Sequence, residues 1–398
     1  MIEDVVLTKH KCPACGCEPM EVFFEIDTVP VFCNVLYDNP RQARQADTGR
    51  IHLAHCKDCQ IVYNVAFDPE LVEYCPAYEN SLHYSPRFQQ YANEIANDLV
   101  KRYKLYNKDI IEIGCGQGDF LAMLQRLGGN RAVGFDPSYC SLHKEHLQSL
   151  AIKIISQAYS RAHSGHPADF ICCRHVLEHV DRPYDFLRNI YETVAEKKDA
   201  IVYFEVPNVL FTLKDGAIWD IIYEHCSYFT LGSLANLFVK VGFEPINLSE
   251  QYEGQFISIE ARAASNTTAT AKFSIPQADT RSLARQFKYA YDEKVLSWHR
   301  QLSVLSARKR RMVLWGAGSK GVSFLNVLDV SDEQIEYVVD VNPRKQGRFI
   351  AGTAQQIISP DQLKSCRPDV IIVMNPVYRA EIERLLDELG VKADVMIA

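Results

Sequence analysis

The sequence has no long apolar run and almost no clustering of basic charge. No stretch of 18 apolar residues occurs in its 398 residues, so a membrane-spanning helix is not expected. The opening MIEDVVLTKHKC lacks the apolar segment of a signal peptide, and we therefore expect a cytoplasmic protein. The chain has 43 Lys and Arg against 50 Asp and Glu, with only the short ARKRR at 307–311 as a basic patch. Nucleic acid is therefore not an expected partner.

The 13 cysteines do not suggest a disulfide scaffold, because their number is odd and several stand in C-x-x-C pairs. CPAC at 12–15 and CKDC at 56–59 can each supply two corners of a tetrahedral structural zinc site. Free thiols or a redox pair are the alternatives. The predicted zinc ligands are Cys12, Cys15, Cys56 and Cys59. The nearby competitors for a ligand position are Cys17, Cys33, His52 and His55.

Between Asp109 and Ala263, short apolar strands alternate with amphipathic helices. This alternation predicts an α/β fold with a doubly wound parallel sheet. A second pattern of this kind begins at MVLWGAG, and apolar residues from Leu283 to Leu305 recur every three or four positions, as in a long helix that bridges two domains. No internal repeat is evident. The predicted domains are a zinc-binding lid at 1–85, a central domain at 86–265, a linker and bridging helix at 266–310, and a C-terminal Rossmann-like half domain at 311–398.

A glycine-rich loop follows the first strand of the central domain. The stretch DIIEIGCGQGDF places the strand directly before Gly114, Gly116 and Gly118, where glycine allows a sharp turn and close approach to a ligand. Asp136 ends the next strand and can accept hydrogen bonds from a ribose. Because the spacing is G-x-G-x-G, with Asp119 where a dinucleotide site needs its third glycine, a nucleoside cofactor is favoured.

With Glu112 at the end of the first strand, these residues resemble the class I S-adenosylmethionine-dependent methyltransferases. The resemblance implies that Glu112, the three glycines and Asp136 bind S-adenosylmethionine. RHVLEHV has the H-x-x-E-H spacing of some zinc proteases, but it follows a strand of the sheet instead of lying within a long helix. His175, at the carboxyl end of that strand, is a predicted cofactor-site residue. Glu178 and His179 are expected to make local helix contacts.

VLWGAGSKG provides a second glycine loop, with G-x-G-x-x-G spacing and Asp340 after the next strand. Taken alone, it would favour NAD. Fewer than 90 residues remain from Met312, however, which is enough for one mononucleotide-binding half but not for two. A sugar nucleotide or a purely structural βαβ unit fits better.

Together the segments resemble the sugar-nucleotide C-methyltransferases that act on 4-keto deoxysugars. The motifs that carry this resemblance are the two C-x-x-C pairs, EIGCGQG, YEHCSYF, GAGSKG and VNPRKQGRFIAGT. The chain departs from close sugar methyltransferases in VMNPVYRAEI, which lacks a Trp-Asn pair, and in YCPAYENSLHYS, which keeps only the outline of a tyrosine-rich substrate segment. The resemblance implies a 4-keto sugar nucleotide held between the outer domains and the core.

The resemblance also implies that His225 is the base that removes a proton from the carbon next to the ketone. An imidazole has a pKa near neutrality, which suits this task. Glu224, Tyr223 or Tyr228 could orient it or bind the developing enolate oxygen. The further predicted site residues are Tyr78, Asn80, His83, Asn208 and Lys320. The alternatives are an O- or N-methyltransferase and a non-catalytic zinc-clamped binding module; the expected assembly is a monomer or homodimer that binds a small molecule.

Overall fold

The computed structural model describes residues 6–8, 10–141, 145–197, 199–264 and 278–398. Within these residues three β-sheets follow one another along the chain. The predicted linker falls largely on 265–277 and lies outside the described residues. The domain boundaries remain predictions.

The first sheet has five strands in the order β1-β2-β3-β4-β10, and every pair in it is antiparallel. Its strands are β1 (Val6–Thr8), β2 (Met20–Pro30), β3 (Thr48–His55), β4 (Val62–Asn64) and β10 (Ser227–Tyr228). The last strand comes from the YEHCSYF motif, so the predicted catalytic segment is tied to the N-terminal sheet as well as to the central one.

The central sheet has seven strands in the order β11-β12-β9-β8-β5-β6-β7. They are β5 (Asp109–Ile113), β6 (Arg131–Phe135), β7 (Ile152–Ile155), β8 (Phe170–Arg174), β9 (Ile201–Pro207), β11 (Phe243–Gln251) and β12 (Phe256–Ala263). The predicted parallel sheet is confirmed for β5 to β9. It is wrong for β12, which pairs antiparallel with β9 and β11, because a tight turn after β11 reverses the chain.

The C-terminal sheet has five strands, all parallel, in the order β15-β14-β13-β16-β17. They are β13 (Met312–Trp315), β14 (Ile335–Val339), β15 (Gln356–Ile358), β16 (Val370–Val373) and β17 (Asp394–Ile397). This is the strand order of β5 to β9 in the central sheet. The two halves therefore repeat one topology, although no repeat is evident in the sequence. Side-chain patterns diverge freely when only apolar character and glycine turns are required.

The helices cover the two parallel sheets and join them. They are α1 (Pro40–Arg44), α2 (Pro86–Tyr103), α3 (Asp119–Gly128), α4 (Pro183–Val194), α5 (Val209–Leu213), α6 (Leu231–Val241), α7 (Thr280–Ala307), α8 (Ser319–Val327), α9 (Leu363–Cys366) and α10 (Arg379–Leu389). Local sequence sets several ends: Ser85 caps α2 ahead of Pro86, and a Thr230–Ser233 capping box starts α6. Among the described residues, no helix is both long and apolar enough to cross a bilayer.

The long helix α7 lies within the segment predicted as linker and bridging helix, and it packs between the N-terminal and C-terminal sheets. Phe287 of α7 lies edge-on to Phe24 of β2, with ring centroids 5.1 Å apart. Farther along α7, Trp298 packs edge-on against Phe324 of α8 at 5.1 Å. Trp219, from the connection after α5, contacts the same Phe324 at 5.0 Å. One hydrophobic core thus joins the N-terminal sheet, the segment 209–228, α7 and the C-terminal half, and it holds the two outer sheets together.

Candidate active site

A cleft of about 620 Å³ opens at the carboxyl ends of the two parallel sheets. Its walls come from the loop at 74–85, from the ends of β5, β6 and β8, and from the second glycine loop at 316–321. Open α/β sheets bind ligands at this edge. Eleven of the predicted site residues line the cleft: Tyr78, Asn80, His83, Glu112, Gly114, Gly116, Asp136, His175, Asn208, His225 and Lys320.

The first glycine loop has a conformation that only glycine adopts easily. Gly114, Gly116 and Gly118 have φ angles of +69°, +53° and +86°. A Cβ at Gly114 would collide with the Val176 side chain, whereas one at Gly116 would meet nothing within 4 Å. Gly118 does not line the cleft; it begins α3, and a side chain there would press on Ile154. Its role is therefore to shape the turn.

Two carboxyl groups flank this loop. Asp136 accepts hydrogen bonds from the Gly116 amide at 2.7 Å and from the Ser138 amide at 2.7 Å, which fixes its carboxylate at the cleft edge. Asp136 Oδ1 also accepts from the Ser138 hydroxyl at 2.6 Å, so Oδ2 is the oxygen that can accept a further bond from a ribose hydroxyl. Glu112 is buried, and one of its oxygens has no hydrogen-bond partner. Burial raises the pKa of Glu112 to about 8, against the lowering effect of Arg174. An unpartnered acceptor beside an open glycine turn fits S-adenosylmethionine.

His175 lies at the end of β8 in a left-handed conformation, with φ of +54°. Its Nε2 is 3.0 Å from Glu205, and its Nδ1 is 3.6 Å from Glu178. Burial alone would lower the pKa of His175, but these two carboxylates raise it to about 9. Glu205 also binds Arg174 through two nitrogens, at 3.1 and 2.9 Å. The floor of the cleft is thus a charge-balanced network with a cationic imidazole.

His225, the predicted base, lies next to His179, with ring centroids 4.8 Å apart. Burial lowers the pKa of His225 to about 3, and the charges of His175 and Lys320 add to this effect. One ring nitrogen is held by the Asp220 backbone, which leaves the other as a proton acceptor. Burial also lowers the pKa of His179 to about 4. Both rings are therefore neutral at pH 7, in contrast to His175.

The residues around His225 in YEHCSYF do not reach the cleft. The Tyr223 hydroxyl accepts a hydrogen bond from the Asp68 amide at 2.8 Å, and its ring stacks on Phe67. The Tyr228 hydroxyl donates to the Ile222 carbonyl at 3.1 Å. These partners hold both tyrosines in the core, so the expected direct contacts with an enolate are not seen. The strand pairing of Tyr228 explains its position.

Glu224 is fully buried behind the cleft wall and accepts a hydrogen bond from the Cys33 amide at 2.7 Å. Burial raises the pKa of Glu224 to about 7, against the lowering contributions of Cys33, Tyr78 and Lys345. Tyr78 does line the cleft, and the Asn34 amide donates to its hydroxyl at 3.5 Å. Glu224 is therefore linked to the cleft through Tyr78 and through the charge of Lys345.

The loop at 74–85 is fixed to the C-terminal half. Glu79 accepts hydrogen bonds from Asn342 at 3.0 Å and from Arg344 at 3.2 Å. Ser85 donates to Glu381 of α10 at 2.7 Å. Asn80 and His83 lie along the same loop and face the cleft, with the His83 ring edge-on to Phe88. The predicted lid is thus closed over the carboxyl edge of the central sheet.

The second glycine loop presents basic groups to the cleft. Lys320 pairs with Asp220, and Lys345 donates to the Asn34 side chain at 3.0 Å and to the Ala317 carbonyl at 2.9 Å. Asp340 accepts from the Ala317 amide at 2.9 Å. Asn208 also lines the cleft, but its amide is occupied: it donates to Gly254 at 2.9 Å and caps α5. This limits what Asn208 can offer a substrate.

The four predicted zinc ligands come together away from the cleft. The sulfur atoms of Cys12 and Cys59 are 3.5 Å apart, as are those of Cys15 and Cys56. A tetrahedral zinc ion with bonds of about 2.3 Å needs sulfur atoms roughly 3.8 Å apart, so the four thiols fit this ion. The competitors do not join the group: Cys33 is buried beside Glu224, and His52 pairs with Glu25.

Comparison with known proteins accounts for most of this architecture. Residues 83–248 match the family described as "Methyltransferase domain". The chain is an S-adenosylmethionine-dependent methyltransferase. Residues 271–394 of the methyltransferase match the "C-methyltransferase C-terminal domain", which indicates transfer to carbon. The resemblance to class I methyltransferases is thereby confirmed.

Among named proteins, the methyltransferase is 23% identical to the C-methyltransferase NovU of Streptomyces niveus, over 96% of this chain and 93% of NovU. Solved structures with a similar fold include the riboflavin-analogue dimethyltransferase RosA of Streptomyces davawensis, at 19% identity, covering 44% of this chain and 54% of RosA, with a TM-score of 0.36. Magnesium protoporphyrin IX methyltransferase from Synechocystis PCC 6803, with bound S-adenosylhomocysteine, is 18% identical, covering 45% of this chain and 84% of that chain, with a TM-score of 0.35.

Several cleft residues of the methyltransferase were not predicted from its sequence. Glu178 and His179, expected to make local helix contacts, line the cleft, because His175 ends β8 in a left-handed turn and only a short 3-10 helix follows. The Tyr74 hydroxyl lies 2.8 Å from the His179 Nδ1 atom. The H-x-x-E-H motif could have indicated Glu178 and His179, and the tyrosine-rich segment could have indicated Tyr74. No sequence motif indicates Asn34, since its position in the cleft depends on packing between sheets.

Proposed function

We propose that this methyltransferase adds a methyl group to the carbon next to the ketone of a nucleotide-linked 4-keto deoxysugar. His225 removes the proton from that carbon, and the resulting enolate attacks the methyl group of the cofactor sulfonium. S-adenosylhomocysteine and the C-methylated ketone are the products, and His225 afterwards returns its proton to solvent. Glu112, Gly114, Gly116 and Asp136 hold the cofactor in this proposal.

One observation carries the proposal: a neutral imidazole lies in the cleft that both glycine loops line. His225, Gly116 and Gly318 share this cleft. Methyl transfer to oxygen or nitrogen does not require a base for a carbon acid, whereas transfer to carbon does. The match of the C-terminal half to a C-methyltransferase domain and the likeness to NovU support the same assignment.

The charges on the two sides of the cleft support an anionic substrate. Glu112 and Asp136 flank the cofactor loop, while Lys345 and Lys320 lie at the second loop, where Lys320 pairs with Asp220 and Asp340 binds the Ala317 amide. A cationic sulfonium suits the first set, and a nucleoside diphosphate suits the second. Asn80, His83 and Asn208 complete the substrate side. Tyr78 of the lid segment lines the cleft and contacts Glu224, so Glu224 can influence the sugar through Tyr78.

We also propose that Cys12, Cys15, Cys56 and Cys59 bind a structural zinc ion that holds the N-terminal sheet together. A closed four-cysteine site leaves no position for substrate. Elemental analysis of the purified protein should find one zinc per chain. Cys15→Ser should lose this zinc and lower the thermal midpoint, while the neighbouring Cys17→Ser should retain it. Equal zinc content in both variants would contradict the ligand assignment.

The proposed reaction is tested by solvent deuterium exchange. A dTDP-linked 4-keto-6-deoxyhexose is incubated with the protein in D₂O without cofactor, and mass spectrometry follows deuterium at the carbon next to the ketone. We expect exchange with the native protein and at least about a hundredfold slower exchange with His225→Asn. His299→Asn, on the outer part of α7, is the matched control. Near-native turnover by His225→Asn, with cofactor binding intact, would contradict the base assignment.

The same experiment distinguishes the O- or N-methyltransferase alternative. In that case the cofactor methyl group would appear on oxygen or nitrogen, and no deuterium would enter the carbon. Mass spectrometry of small molecules that co-purify with the protein identifies the carrier nucleotide independently of any chosen substrate.

A further inference from the structure

Glu178 is a buried carboxylate surrounded by imidazoles. It is 2% exposed, and neither of its carboxylate oxygens has a hydrogen-bond partner. One of its carboxylate oxygens, one ring nitrogen of His179 and one ring nitrogen of His225 lie within 4.8 Å of one another. On its other side, His175 Nδ1 is 3.6 Å away. A buried carboxylate that accepts no hydrogen bond is costly even beside one ion-pair partner, and such a group is retained where its charge has a use.

The proposed reaction requires His225 to become protonated, and the position of the Glu178 carboxylate would favour this step. His225 lies in a buried site close to the positive charges of His175 and Lys320, so a second positive charge on its ring is disfavoured. A base in such a place needs a nearby negative charge when it becomes protonated. Glu178 can provide this charge, because one of its carboxylate oxygens lies within 4.8 Å of a ring nitrogen of His225.

We propose that Glu178 is a positioning residue for the base: its carboxylate faces His225 and stabilises the imidazolium that forms when His225 takes the substrate proton. The inference rests on the proposed function. The proton moves from the substrate carbon to His225, the electron pair stays on the enolate, and Glu178 takes no part in the proton transfer. His175 holds Glu178 from the opposite side, and Tyr74 orients His179 next to it.

The charged and titratable groups around His225 determine how its pKa should respond when Glu178 is removed. His175 and Lys320 contribute positive charge, His179 lies at 4.8 Å between ring centroids, and Tyr228 lies at 6.0 Å. Asp220 is the acidic residue next to them: its backbone contacts His225, while its carboxylate pairs with Lys320. Removing Glu178 should therefore make His225 a weaker base, with a pKa lower by about one unit or more.

The experiment compares Glu178→Gln, Glu178→Asp and the control Glu260→Gln. Glu260 is also a buried carboxylate, but it binds Arg102 and Tyr103 on α2, away from the cleft. With the dTDP-linked 4-keto sugar, Glu178→Gln should slow deuterium exchange roughly tenfold or more and move the acidic limb of the pH–rate profile to lower pH by about one unit. Glu178→Asp should recover part of the rate. Glu260→Gln should leave both quantities unchanged.

A second measurement needs no substrate. Diethylpyrocarbonate reacts with neutral imidazole nitrogens, and peptide mass spectrometry gives the rate at His225 at pH 7. Because His225 is neutral at pH 7 in both proteins, this rate reports the basicity of its ring, and it should fall in Glu178→Gln and stay native in Glu260→Gln. If the native protein exchanges no deuterium, the proposed function fails, while the carbethoxylation rate still decides the role of Glu178. An unmoved pH limb together with an unchanged carbethoxylation rate would overturn the proposal. The proposal would also be overturned if elemental analysis found a metal ion in addition to the proposed zinc and this ion were lost in Glu178→Gln.

Discussion

Two glycine loops follow the first strand of two parallel sheets with the same strand order, and each is tied to an aspartate at the end of the next strand. Asp136 accepts from the Gly116 amide at 2.7 Å, and Asp340 accepts from the Ala317 amide at 2.9 Å. The backbone plan is shared. The loops differ in conformation: Gly116 and Gly118 have positive φ, whereas Gly318 has φ of −100°.

The loops also differ in charge and in how closely they are packed. The first is flanked by Glu112 and Asp136, while the second adds two basic groups to its aspartate: Lys345, and Lys320 in its pair with Asp220. In the second loop, a Cβ at Gly321 would collide with the Gly316 carbonyl, so that glycine serves helix packing. One topology thus supports a cationic cofactor at one loop and, in our proposal, an anionic substrate at the other. The side chains, not the fold, make this division.

The largest expected effect concerns the glycines themselves. Gly114→Ala combines a left-handed backbone with a collision against Val176, at a combined cost of about 3 kcal/mol, or roughly a hundredfold in S-adenosylmethionine affinity. Gly318→Ala has an ordinary φ and no atom within 4 Å of the new Cβ, so cofactor affinity should stay native. Calorimetric titration with the cofactor measures both. Equal losses would mean that the two loops share the cofactor.

The paired aspartates give a second test. Asp136→Asn should weaken cofactor binding roughly tenfold or more, because a charged acceptor for the ribose hydroxyls is lost. Asp340→Asn should leave cofactor binding unchanged and lower only the thermal midpoint, since its carboxylate holds the Ala317 amide. Calorimetry and thermal unfolding separate the two outcomes. A cofactor defect in Asp340→Asn alone would reverse our assignment of the loops.

Charge at the second loop gives a third test. Lys320→Met keeps much of the side-chain length but removes the ammonium group, and dTDP affinity should fall by about tenfold. Arg308→Met, just beyond α7, is the matched control for loss of one positive charge. Cofactor affinity should be native in both variants. An unchanged dTDP affinity in Lys320→Met would argue that the second loop is structural.

The smallest effect is a pH dependence confined to the first loop. The pKa of Glu112 is raised by burial to about 8, so the carboxyl is mostly neutral at pH 7 and ionises as the pH rises. A cationic sulfonium favours the ionised form, and cofactor affinity should therefore increase by roughly fivefold between pH 7 and pH 9. Glu112→Gln should remove this dependence, whereas binding of dTDP at the second loop should show no such rise. Affinities measured across this range check the sign.

The local sequence was sufficient for the cofactor loop and for the cysteine site. Gly114, Gly116 and Asp136 could be recognised because a strand, a turn and a following strand are set by nearby residues. The four cysteines could be grouped because thiol chemistry and C-x-x-C spacing restrict the possibilities. The antiparallel β12 was mispredicted, since strand direction depends on pairing across the sheet and not on the pattern within one strand.

The sequence by itself therefore determined the methyltransferase class and the glycine turns, and it provided the histidine that we propose as the base. Only the tertiary structure decided which neighbours that histidine has. YEHCSYF looks like a single cluster in the sequence, but its tyrosines turn into the core while His225 faces the cleft. Glu178, which looked like a local helix residue, is brought to His225 by the left-handed turn at His175. Burial and charge at such a site arise from distant segments, which no local pattern encodes.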